Sequence, residues 1–109
     1  MQTLIEVNLQ HEALHSWPEA KDKLPDVAFL SNEHRHMFHI TLQKKVEHND
    51  RDVEIIMFKH EVANYLNTEH MGHFGRMSCE DIATELMTRF DCEMVKVLED
   101  GENGALVTK

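Results

Sequence analysis

The stretch HRHMFHITLQKKV, residues 34–46, alternates more strictly than any other part of the chain and sets the period on which the rest must pack. His34, His36, Phe38, Ile40, Leu42 and Val46 share one parity, while Arg35, Thr41, Gln43, Lys45 and Glu47 take the other. Successive strand side chains point to opposite faces, so this pattern predicts a long antiparallel strand with one buried and one wet face. The turn formers HNDR at 48–51 follow, and DVEIIMF resumes an apolar, β-branched run, so 34–58 reads as a hairpin.

The flanking segments are read against that strand. Residues 3–11 alternate in the same way, with Ile5, Val7, Leu9 and His11 on one face and Leu4, Glu6, Asn8 and Gln10 on the other. From Glu12 to Asn32 no period holds, and Pro18 and Pro25 interrupt a polar stretch, which predicts a long loop carrying at most a short helical turn. Val62, Tyr65 and Leu66 recur at helical spacing and predict a first helix ending near Asn67, followed by the loop TEHMGHFGRM at 68–77. Ser78 is a good N-cap, with Asp81 at the third helical position and the apolar stripe Ile82, Ala83, Leu86, Met87 and Phe90 behind it. EMVKVLE at 93–99 alternates again, DGENG is a turn, and ALV forms a last strand.

The order strand, strand, strand, helix, helix, strand, strand predicts an α+β domain spanning 1–109, an antiparallel sheet with two helices packed on one face. The sheet's other face and its edges need cover, which other copies of the chain would supply by closing sheets into a ring. A homo-oligomer is therefore expected. The formal net charge of -9 repels phosphate backbones, and the 11 Lys and Arg are dispersed, so no nucleic acid partner is expected. No apolar run approaches the roughly 20 residues of a membrane span, and the chain starts with a strand-like pattern, so no membrane association and a cytoplasmic location are expected. Cys79 and Cys92 form no spaced framework and read as reduced, semi-buried fillers.

The histidines give the chain its candidate chemistry. Residues i and i+2 of a strand lie about 6.5–7 Å apart on one face, so His34 and His36 can converge on one ion. Zinc at a catalytic site commonly takes three protein ligands and leaves a position for water or substrate. A third imidazole from the neighbouring strand would complete such a set, and both His11 and His15 have the parity to supply it. His39 has the wrong parity and should face the other side. Unpaired imidazoles at the mouth of an apolar strand face would be costly to bury, and no Asp or Glu of the same parity follows in that strand to satisfy them. Loop or helix-surface roles are expected for His48, His60, His70 and His73.

HEALHSW, HRHMFHITLQKKV, IIMFKHEVANYL, SCEDIATEL and VKVLEDGENGALV, in that order over nearly the whole chain, resemble the 6-pyruvoyl-tetrahydropterin synthase and 6-carboxytetrahydropterin synthase family. The H-x-H block and the closing V-x-V-x-E are the most specific matches. The resemblance implies the tunnelling fold, a four-stranded antiparallel sheet with two helices on one side, assembled into an oligomeric barrel, commonly a hexamer. It implies a Zn2+ site made by His34, His36 and His15, with His11 as the alternative third ligand, and Glu99 as the carboxylate that anchors a pterin or purine-like heterocycle. A carboxylate accepts two parallel N–H bonds, and Glu99 shares parity with Val95 and Val97. In the family's Pro-Thr-x-Glu motif, Ser78 and Glu80 take the Thr and Glu positions.

Two departures stand beside the matches. The family's lyase activity uses a Cys shortly before H-x-H as a base, and DVAFLSNE has none there. The Asp-His couple before the second helix has no clear counterpart in NTEHMGHFGRM, from which only His70 or His73 could be recruited. General acid and base groups beside the metal are needed to move protons on the substrate, so two functions are expected to compete: a divergent, zinc-dependent pterin-related lyase, and a non-catalytic small-molecule binding or assembly protein of the same fold.

Overall fold

A computed structural model describes residues 1–109. The alternating segment is strand β2 (His34–Val46), and the N-terminal pattern is strand β1 (Thr3–His15). They pair antiparallel over their whole length, from Thr3 opposite Val46 to His15 opposite His34. β1 thus runs four residues past the alternation seen at 3–11, and His15 is its last residue rather than a loop residue beyond it. The connection to β2 holds the short helix α1 (Ala20–Lys23) and a 3₁₀ stretch over Pro25–Ser31.

The reading of 53–58 as the second arm of a hairpin is corrected. Helix α2 spans Ile55–Glu69. The Glu54 carboxylate accepts from the backbone N–H groups of Ile56 and Met57, which caps the helix two residues after Asp52 accepts from the Glu47 N–H and ends the turn. Ile55, Ile56 and Met57 are exposed, whereas Phe58, Val62 and Leu66, four residues apart, are buried. The helical period starting at Phe58 decides the segment against the strand-like run before it. In the 68–77 loop lies one further strand, β3 (His73–Gly75), whose Phe74 is buried. Helix α3 (Cys79–Phe90) starts at Ser78 with a capping box, the Ser78 hydroxyl accepting from Asp81 N–H and the Asp81 carboxylate from Ser78 N–H. Strands β4 (Met94–Glu99) and β5 (Asn103–Thr108) close the chain as a hairpin.

The sheet is α+β in class, five-stranded and open, in the order β3-β1-β2-β4-β5. It is mixed rather than wholly antiparallel, because β3 joins β1 in parallel at Leu14 and His15. One face carries Val7, Phe38, Ile40, Leu42, Val95 and Val97 against Phe58, Val62, Leu66, Ile82 and Leu86 of the two longer helices. The opposite face is polar: Thr41 Oγ1 donates to Asn8, Gln43 Nε2 to Glu6, and Arg35 pairs with Glu12. The bond from Gln43, and then one from the Asn8 amide, hold the Glu6 carboxyl below its ordinary range. No helix is long and apolar enough to cross a membrane.

Candidate metal centre

Pairing β1 with β2 brings His15 directly opposite His34, and Ala13 opposite His36. An alanine opposite His36 leaves room above the sheet for the imidazoles to lean together. Their ring centroids lie 4.5 Å apart for His15 and His34, 5.4 Å for His15 and His36, and 5.0 Å for His34 and His36. β4 pairs on the far side of β2, with Glu99 opposite Phe38, and delivers a carboxylate to the same face. One donor atom from each of His15, His34, His36 and Glu99 lies within 4.8 Å of the others, so this group could hold a metal ion.

The hydrogen bonds around the rings fix which nitrogen faces inward. His15 Nδ1 lies 3.0 Å from the Met77 carbonyl oxygen, His34 Nδ1 2.8 Å from the Asn32 carbonyl oxygen, and His36 Nδ1 2.7 Å from an Asp100 carboxylate oxygen. All three partners accept only, so each Nδ1 carries a proton, and it is Nε2 of each ring that is left to face the group. The Nε2 atoms of His15 and His36 are buried without a hydrogen-bond partner. Glu99 Oε2 approaches His15 Nε2 at 2.9 Å, and Glu99 Oε1 lies 3.6 Å from His36 Nε2. Three inward-facing imidazole nitrogens gathered with a carboxylate are a donor set that fits a cation, and outer acceptors on Nδ1 are the usual support of ligating histidines.

Beside the group opens a cleft of about 410 Å³, lined by His15, Trp17, His34, Cys79, Glu80 and Glu99 among others. Cys79 is free and buried at the first position of α3. Burial, then the nearby Glu99 charge, pushes its thiol up to about 12. At neutral pH it is a protonated thiol.

The remaining histidines sit elsewhere. His11, sharing parity with His15, is buried opposite Phe38 and donates from Nε2 to the His70 carbonyl oxygen at 3.0 Å, outside the cluster. His39 lies on the other face, its ring beside Gly101. His70 is not a free loop residue: its Nε2 contacts the Glu85 carboxylate, which also accepts from the Tyr65 hydroxyl at 2.9 Å. His73 pairs with Glu33, while His48 and His60 are exposed. Neither His70 nor His73 lines the cleft. Four contributors escape a reading by parity: Asp100, the Asn32 and Met77 carbonyls, and Cys79. For Cys79 a signal existed in its place directly after the N-cap, which puts it at a helix end facing the sheet.

A scan against protein-family models and a search of curated proteins found no match to this chain.

Proposed function

We propose that this chain is a zinc-binding protein of the tunnelling-fold type that takes a pterin or purine-like heterocycle into the cleft beside His15, His34 and His36. The observation that carries this reading is the pair of buried, unpartnered Nε2 atoms on His15 and His36, held inward by Nδ1 bonds to Met77 and Asp100. Three neutral imidazoles with one carboxylate are a donor set that suits zinc, and zinc bound there would supply a Lewis acid for ligand oxygens. Glu99 would anchor the ring, its carboxylate accepting paired N–H bonds from the edge of a heterocycle, as the family resemblance implies. Trp17 and Leu30 offer apolar surface to a flat ring in the same cleft. The open edges of β1 along Thr3–Ala13 and of β5 support assembly of sheets into a ring of copies, since β3 covers only Leu14 and His15.

Between the two activities, a specific observation favours the binding protein over the lyase. No thiol precedes His34 within 26–33, Cys79 keeps its proton, and His70 and His73 are held by Glu85 and Glu33 away from the cleft. The cleft thus lacks both the thiol base and the Asp-His couple of the family's reaction, and its carboxylates are Glu80 and Glu99. Fluorescence titration of the zinc-loaded protein with neopterin tests the reading: saturable quenching is expected, lost in Glu99→Ala. Incubation with dihydroneopterin triphosphate is expected to give no product. No pterin binding by zinc-loaded protein would overturn the ligand assignment, and product formation would restore the lyase.

A further inference from the structure

Consecutive residues of a strand point to opposite faces, so a residue after Glu99 should turn away from the histidines. Asp100 does not. Its φ of 55° lies in the left-handed region, which few residues other than glycine adopt, although Asp is among the most tolerant. Asp100 and Gly101, at φ 55° and 75°, are the central pair of the β4–β5 hairpin turn, closed by Glu102 N–H donating to the Glu99 carbonyl oxygen at 2.9 Å, and from this turn two successive carboxylates reach the same imidazole from its two nitrogens. Glu99 Oε1 lies 3.6 Å from His36 Nε2, and Asp100 Oδ2 lies 2.7 Å from His36 Nδ1.

The backbone locks the arrangement. Asp100 N–H donates to the Met37 carbonyl oxygen at 2.8 Å, and Met37 N–H donates to Asp100 Oδ1 at 3.0 Å. The Asp100 side chain thereby extends the β2–β4 ladder one step past Glu99, with one oxygen spent on the backbone of Met37 and the other on the ring of His36. Of the other non-glycine residues with positive φ, Arg51 bonds only its neighbour Asp50 and Asp91 meets Lys109, so neither is directed at a functional cluster.

From this geometry we infer that Asp100 is the positioning residue of the metal centre: its carboxylate, held by Met37 N–H, takes the Nδ1–H of His36 and turns Nε2 toward the ion. This role rests on the proposed metal site. A carboxylate behind a ligating histidine orients the ring and strengthens its inward lone pair, and loss of such a partner typically weakens metal binding about 10–100-fold.

The test uses Asp100→Gly, which accepts the left-handed φ and so keeps the fold, with Asp100→Asn as the conservative variant that retains one acceptor oxygen. Zinc affinity is measured against a competing chelator, and the His36 tautomer is read by long-range ¹⁵N NMR on the metal-free protein. Wild type is expected to show His36 protonated at Nδ1. Asp100→Gly is expected to show mixed tautomers and affinity reduced about 10–100-fold, with Asp100→Asn between the two. If wild type binds zinc and Asp100→Gly binds it equally tightly with the same tautomer, the positioning role is overturned while the metal site stands. If wild type takes up no zinc, the metal site itself falls, and this role with it.

Discussion

Replacing Glu99 by Gln should stabilise the metal-free protein, although it removes a carboxylate facing two histidines. The side chains are nearly isosteric, so no cavity forms. Where imidazole is neutral, Glu99 Oε2 faces His15 Nε2 at 2.9 Å with no proton to share, and that buried nitrogen is an acceptor left unsatisfied. The amide introduced by Glu99→Gln would donate there, and relieving one buried unsatisfied group is worth about 1–3 kcal/mol. His36 Nε2, at 3.6 Å, is beyond hydrogen-bond reach and adds nothing to the sum. At about 4–8 °C per kcal/mol for a domain near this size, the thermal midpoint should rise by at least about 4 °C. The assay is thermal unfolding of both proteins at pH 8 with a chelator present, since imidazole is ordinarily neutral there. Zinc should then stabilise wild type more than the variant, because the variant has lost an anionic donor. A fall in the midpoint of metal-free Glu99→Gln would refute the reasoning, for it would mean that His15 is protonated and forms a true ion pair with Glu99.

Three further outcomes are expected. A Cβ at Gly104 would overlap the Val97 carbonyl oxygen and lie 2.8 Å from Leu98 Cα, so Gly104→Ala should part β5 from β4 and cost about 1–3 kcal/mol or more, measured by urea unfolding. Ser78→Ala removes the α3 cap and should cost about 1 kcal/mol in the same assay. The Cys79 thiol, raised from 9.0 to about 12, keeps its proton in the folded chain while the unfolded chain loses it. Wild-type stability should therefore decline between pH 9 and about 12 more steeply than that of Cys79→Ala, and native Cys79 should resist iodoacetamide at pH 8.

Parity in two strands made much of this centre legible. It put His34 and His36 on the face of Phe38 and Ile40, put Glu99 with Val95 and Val97, and set His39 and Met37 aside, as the burial of Phe38, Ile40, Val95 and Val97 agrees. It left His11 and His15 equivalent, because the pairing register between strands decides which of them meets His34, and no single strand encodes that register. The apolar run Val53–Phe58 misled for a related reason: a short run of Ile and Met fits either period, and only the Glu54 cap with Phe58, Val62 and Leu66 behind it selects the helix. β3 is too short to show a period, and its parallel pairing depends on Gly72 and Gly75 carbonyls meeting Leu14 and Ser16 N–H groups far away in sequence. Asp100 lay beyond the reach of parity because it stands in the Asp-Gly turn after Glu99, where side-chain direction is set by the turn and not by alternation.

The central claim is that His15, His34 and His36 hold a zinc ion through their Nε2 atoms. X-ray absorption at the zinc edge of protein loaded with one equivalent addresses it most directly. The expected spectrum has a first shell of nitrogen and oxygen only, at about 2.0–2.1 Å, with the outer-shell scattering of imidazole rings, diminished in His34→Ala. A sulfur shell at about 2.3 Å would mean that Cys79 has displaced a histidine, and zinc that stays in an all-water shell would mean that the three imidazoles do not bind it. Either result would contradict the claim.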